Sequence, residues 1–289
     1  MRNARSSARV AIAVGSPLLA MAILASCAQE EATPAPAASA GADPCANITT
    51  VTDGTLTVAT SNPAFPPYVI KNDPTNGNGF ESATAYAVAE QMGFSAEQVE
   101  WTFAPFGKLF APGEKDFDFA LNQISIGPLR ERAVTFSDPY YEAANGVLVL
   151  NDSPFADVTT LAELQDAKIG VQINTTAQAQ VEATIAPTQG LAVYDDSVAA
   201  TQALKVGQID AFVTDLPTTL YIAAVAVPGT VVGQLPKDEA ADTWGLVLQK
   251  DNPLVSCVND GLAKVVDSGD LEQITTEWMT DYTNAPVLG

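Results

Sequence analysis

From about residue 55 onward, short apolar runs alternate with stretches of helical spacing. Leu56-Thr57-Val58-Ala59 predicts a strand, and 79–92 a helix with Phe80, Ala83 and Ala87 on one face. Strands are expected at 99–103, 117–121 and 146–150, the last preceded by the chain-breaking pair Asn145-Gly146. The pattern then restarts. Strands are expected at 168–171, 192–194, 210–213 and 243–249, and helices at 175–185, 197–205, from Leu216-Pro217, at 254–267 and at 271–279. Proline in the first turn suits a helix start, because the amide it lacks would have no intrahelical partner there. Alternating strands and helices predict parallel sheets covered by helices. Two successive runs without a long polar linker predict two lobes with a close, hinged boundary. In open α/β sheets, ligands sit at the carboxyl ends of strands, so two facing lobes make a cleft.

The first 55 residues follow another logic. Arg2, Arg5 and Arg9 precede an apolar run from Val10 to Ala25 that is too short to span a bilayer comfortably. This is the layout of a signal peptide. It ends in Leu24-Ala25-Ser26-Cys27, which resembles the bacterial lipoprotein signal. That resemblance implies cleavage of residues 1–26 and lipid on Cys27, anchoring an exported chain to the outer face of the membrane. The alternative is an ordinary secretory signal with an incidental cysteine. Residues 27–50 hold Glu30, Glu31, prolines and many alanines, a composition that predicts a disordered tether.

Charge and composition exclude several functions. The 289-residue chain carries a formal charge of −21, which repels nucleic acid, so none is expected as a partner. It contains no histidine, which removes Ser-His-Asp and Cys-His catalysis and histidine-bound zinc. No cofactor or metal is expected. Besides Cys27, the cysteines are Cys45 and Cys257. In an oxidising compartment such a leftover pair is expected to form a disulfide, the alternative being two buried thiols.

Five segments, in order, resemble the polar amino-acid-binding (family 3) proteins of ABC importers. Residues 130–141 (RERAVTFSDPYY) are similar to that family's R…v-F-S-x-P-Y-Y signature. Residues 56–68 (LTVATSNPAFPPY), 79–81 (GFE), 169–176 (IGVQINTT) and 207–211 (GQIDA) resemble its opening strand, its G-F-D helix start, its v-G-V-x-x-G-T-T turn and its G-r-v-D-A stretch. The resemblance covers roughly residues 55–280. It implies an α/β, type II periplasmic-binding-protein-like fold, with mostly parallel sheets joined by a two-strand hinge. Lobe 1 would comprise 51–144 and 249–289, and lobe 2 would comprise 145–248. It also implies a monomer that captures a free amino acid and delivers it to an ABC permease.

The chemistry of a buried zwitterion matches these positions. Both charges need partners, because desolvation otherwise costs several kcal/mol per ion. A carboxylate wants a guanidinium fork and helix-start amides. The resemblance assigns Arg130 to the ligand α-carboxylate, with Ser125, Thr175 and Thr176. It assigns Asp215 to the α-ammonium, with the backbone near Gln123, and counts Asn122 and Gln123 among the ligand-binding residues. Phe65 and Phe106 would pack on the side chain, and Asn62 and Gln172 would line its pocket. Three departures stand out: Gln123 where glycine or serine is usual, Asn174 for glycine, and Asn62 where relatives for basic ligands often carry aspartate. The last points to an uncharged polar ligand. A dehydratase of the same fold would need a general acid or base, for which only Glu81 and Glu142 offer themselves, outside any catalytic motif. A ligand sensor with a membrane partner is the other alternative.

Overall fold

The computed structural model describes residues 43–237 and 243–289. The signal and lipidation readings, Cys27 included, lie outside these residues. The chain forms two five-stranded mixed sheets. In the first, β1 (Leu56–Thr60) lies between β2 (Val99–Phe103) and the short β3 (Phe119–Ala120), parallel to both. The antiparallel pair β4 (Val134–Glu142) and β10 (Thr243–Gln249) completes it, β10 pairing with β3. The second runs β7 (Ala192–Tyr194), β6 (Ile169–Gln172), β8 (Ala211–Asp215), β5 (Asn145–Leu150) and β9 (Gly229–Gln234). The parallel pairs are the ones linked by helical crossovers, as a parallel connection requires. The strands that carry the chain between lobes, β5 and β10, are antiparallel to their neighbours.

Helix α1 (Phe80–Gln91) packs between the first sheet and the helices α6 (Val255–Asp267) and α7 (Asp270–Met279). Being covered on two sides, it buries Phe80, Thr84 and Val88 and also Glu81, Ala85 and Ala89, whereas Ala83 and Ala87 of the expected Phe80–Ala83–Ala87 face are only half-buried. Gly79 opens it with φ 101°, and a Cβ there would collide with Tyr68 O. The short α2 (Phe106–Leu109) follows β2. The second lobe carries α3 (Thr176–Thr184), α4 (Ser197–Lys205) and α5 (Leu216–Val225).

Three boundaries differ from expectation. First, β10 belongs to the first sheet, so the chain returns between Gln234 and Thr243 rather than at residue 249. Second, residues 43–50, expected in the tether, fold onto the first lobe. Cys45 and Ile48 pack on its core, and a disulfide joins Cys45 to Cys257 on α6. Third, the last residues do not stay on lobe 1. Met279 is buried in the first core, whereas Leu288 is buried in the second. Val287 pairs with Gln234 beside β9, Gln234 N donates to Pro286 O (2.8 Å) and Leu288 N to Gln234 O (2.9 Å). Gly233 leaves the necessary room, since a Cβ there would lie 2.7 Å from Pro286 O. The chain therefore passes between lobes three times.

Candidate functional site

The loops after β1, β2 and β3 face those after β6, β7 and β8. Between them lies a cleft of about 420 Å³. Asn62, Phe65, Phe106, Asn122, Gln123, Gln172, Thr175 and Asp215 all line it. Ser125, Arg130 and Thr176 line an adjoining cavity of about 620 Å³, which shares Thr175 with the cleft. The structure thus gathers the residues singled out by sequence, with Arg130 on the boundary between the two spaces. Its guanidinium lies 5.8 Å from the Phe106 ring and 4.4 Å from the Phe110 ring.

Arg130 spans the lobes. It donates to Ser125 O (2.7 Å) in the first and to Asn174 O (2.9 Å) in the second. A guanidinium has five N–H donors, so two bonds orient it and leave donors for an anion. Burial pulls its pKa down to about 10, against the opposing field of Asp215, so it stays charged at neutral pH. Thr175 caps α3, accepting from Gln178 N (3.2 Å), and donates to Gln172 O (2.8 Å). Asn174 takes a left-handed backbone (φ 64°), which asparagine tolerates better than most residues. Ser125 Oγ and Thr176 Oγ1 meet across the lobes at 3.5 Å.

Asp215 stands at the N-cap position of α5 without a side-chain cap bond. Pro217, the second residue of the helix, removes one of the amides such a cap would serve. The Asp215 carboxylate lines the cleft, and its field adds to burial in raising the pKa of Tyr68.

The side-chain wall is built from amides. The carbonyl oxygen of Gln172 accepts from Ser197 Oγ (2.7 Å), and that of Asn62 accepts from Asn72 Nδ2 (3.0 Å). Each amide so fixed keeps its NH2 group for other partners. Sequence reasoning missed Asp195, Asp196, Ser197, Thr218 and Phe103, which also line the cleft. Asp196 caps α4 through Ala199 N (2.8 Å). The signal available was Asp195-Asp196-Ser197 directly after a strand and before a helix, the same strand-end position that pointed to Asp215.

Glu81 does not line the cleft. It lies behind Gln123, 1% exposed, and accepts from Gln123 N (2.7 Å), from Gln123 Nε2 and from Tyr140 Oη (2.5 Å). Burial raises its pKa to about 7 despite these bonds. Gln123 sits at φ 50°, a conformation that costs a non-glycine residue about 1 kcal/mol. Among the described residues, no cluster of ligating side chains could hold a metal ion.

Known proteins share this architecture. The L-cystine-binding protein TcyJ of Escherichia coli (strain K12) is 28% identical over 235 residues, covering 78% of this chain and 82% of that one. The arginine-binding extracellular protein ArtP of Bacillus subtilis (strain 168) is 26% identical over 206 residues, 70% of this chain and 78% of its own. An ancestral arginine-binding protein solved bound to glutamine superposes with a TM-score of 0.67 at 28% identity, covering 79% of this chain and 99% of that one. The model of the bacterial extracellular solute-binding proteins, family 3, matches residues 56–281. With that match running from β1 through α7, the chain belongs to the bacterial extracellular solute-binding proteins of family 3, whose members bind solutes rather than transform them.

Proposed function

We propose that this protein captures a free L-amino acid outside the cell and delivers it to an ABC permease, acting as a monomer anchored by lipid on Cys27. The observation that carries the reading is one cation and one anion in adjoining interlobe spaces, Asp215 lining the cleft and Arg130 the cavity that shares Thr175 with it. Arg130 comes from the first lobe and Asp215 from the second, each near enough for the field of Asp215 to act on Arg130. A zwitterion satisfies both at once, and lobe closure supplies the desolvated setting in which such pairing discriminates. Thr175 and the start of α3 support the carboxylate end.

For the side chain we favour an uncharged polar group. Asn62 and Gln172 offer NH2 donors, Asp195 and Asp196 offer acceptors, and Phe65 and Phe106 supply apolar walls. A carboxamide or hydroxyl uses donors and acceptors together. A second reading, a ligand with an additional cationic group, rests on the same Asp195 and Asp196. A thermal-shift screen of the twenty L-amino acids and L-cystine decides between them. A ligand at 100 times its Kd adds about 2.7 kcal/mol of stability. The first reading expects the largest shifts from glutamine, asparagine, serine or threonine. A shift confined to lysine, arginine or cystine selects the second, and no shift from any of them refutes amino acid capture.

A further inference from the structure

Of the residues lining the cleft, Gln123 alone combines a long side chain with a left-handed backbone. That region favours glycine, so something must hold it there. The holder is Glu81, one carboxylate oxygen taking Gln123 N and the other Gln123 Nε2. The chain of bonds continues outward, Gln123 Oε1 accepting from Asn122 Nδ2 (3.1 Å). Asn122 Oδ1 is then a buried acceptor with no partner among the described residues, on a side chain that lines the cleft. An ionised carboxylate only accepts. Glu81 therefore fixes the direction of both amides: the NH2 of Gln123 faces inward, the NH2 of Asn122 faces Gln123, and the series ends on an acceptor at the cleft floor.

We propose that Glu81 is the positioning residue of this cleft: while ionised, it holds Gln123 in its left-handed conformation and points the Gln123–Asn122 amide series so that the floor suits a ligand ammonium. This rests on reading the cleft as an amino acid site. Protonated on Oε2, the oxygen that faces Gln123 Nε2, Glu81 presents a hydroxyl donor to that amide. The Gln123 amide must then turn its carbonyl inward, the Asn122 amide must follow, and the series ends on NH2, which repels an ammonium.

Burial raises Glu81 to about 7, which places this reversal between pH 5.5 and 8. The titratable groups facing it are Tyr140 on β4 and Tyr68 ahead of α1, with Tyr141 acting on Tyr68 and Asp215 across the cleft acting on Tyr68 and Tyr140. The three tyrosines are all held above their ordinary range by burial and stay neutral in that window.

The test is calorimetry with L-glutamine and L-arginine on the full mature chain at pH 5.5 and pH 8. The parent should bind at least tenfold tighter at pH 8. Glu81→Gln should bind at least tenfold weaker than the parent at pH 8 and show little pH dependence. Adding Gln123→Gly, which takes the left-handed backbone unaided, should recover part of the loss and keep the flat profile. Parent-like affinity in Glu81→Gln, a pH slope unchanged by that substitution, or no recovery in the double variant overturns the proposal. If the parent itself binds neither these probes nor any other L-amino acid at pH 8, the cleft reading fails first and takes this inference with it. Binding that is abolished by Arg130→Ala yet indifferent to Glu81 sinks the inference alone.

Discussion

The hydroxyl of Tyr68, in the first lobe, meets that of Thr218, on α5 in the second, at 3.0 Å, with both side chains almost fully buried. Tyr68 is also packed edge-on against Trp244 of β10, at 5.7 Å between ring centroids. The ring is therefore fixed by its own lobe while its hydroxyl reaches into the other. Tyr68→Phe keeps the packing and removes only the bond between lobes. A net hydrogen bond of this kind contributes about 1 kcal/mol. L-Glutamine affinity should fall roughly fivefold, and small-angle scattering of the free protein should show a wider envelope. Unchanged affinity and scattering would mean that the contact does not favour closure.

Arg130→Ala should weaken amino acid binding by about 3 kcal/mol, roughly a hundredfold, because a ligand carboxylate is left buried without its fork. Arg130→Lys should restore little, since an ammonium neither stacks on Phe110 nor reaches Ser125 O and Asn174 O together. Calorimetry on both variants checks this. A lysine variant that binds like the parent would show that charge alone suffices.

Stability should depend on pH through Glu81. Its folded pKa, about 7, lies above the ordinary 4.5. The stability that the protonated carboxyl contributes is full below pH 4.5 and is lost as pH rises through 7. The loss is about 3 kcal/mol. The melting temperature should therefore drop by roughly 6–12 °C between pH 4.5 and pH 8 in a protein of this size. Glu81→Gln should remove most of that slope and melt above the parent at pH 8. Parallel melting curves for the two proteins would contradict the burial effect.

The Cys45–Cys257 disulfide closes a loop of 212 positions, yet both ends lie in the first lobe. In the chain-entropy view so long a loop is worth up to roughly 5 kcal/mol. Cys45→Ser/Cys257→Ser should melt well below the parent while its L-glutamine affinity changes less than twofold, because the bridge does not cross the hinge. A collapse of affinity on reduction would show that it shapes the cleft.

Much of this was legible in the sequence because local signals are strong where strand, turn and helix alternate. The runs at Leu56 and Ile169, Thr175 at a helix start and Asp215 at a strand end all stand where the pattern puts them. Residues 134–142 were readable as a motif but not as a strand, since Pro139 and the run of polar residues hide the alternation that β10 imposes on them. β9 reads as a Gly- and Gln-punctuated loop because it is an edge whose outer neighbour, Val287, lies 53 positions away. The wall formed by Asp195 and Asp196 was visible only as a polar turn. Glu81 was visible as a helix-start acid, a position that normally faces water. Only the fold shows that it backs onto Gln123.

The tail that joins Leu288 to the second core has a consequence for the order of synthesis. The first sheet lacks one of its inner strands until Thr243–Gln249 has been made, and the second core lacks Leu288 until the chain has been made that far. Domains tend to fold as units once their sequence has emerged. Here the first unit is not whole before Met279 appears, nor the second before Leu288, although most of the second precedes the closing helices of the first. Cutting the chain before Leu288 would leave a completed first lobe beside a second one missing part of its interior.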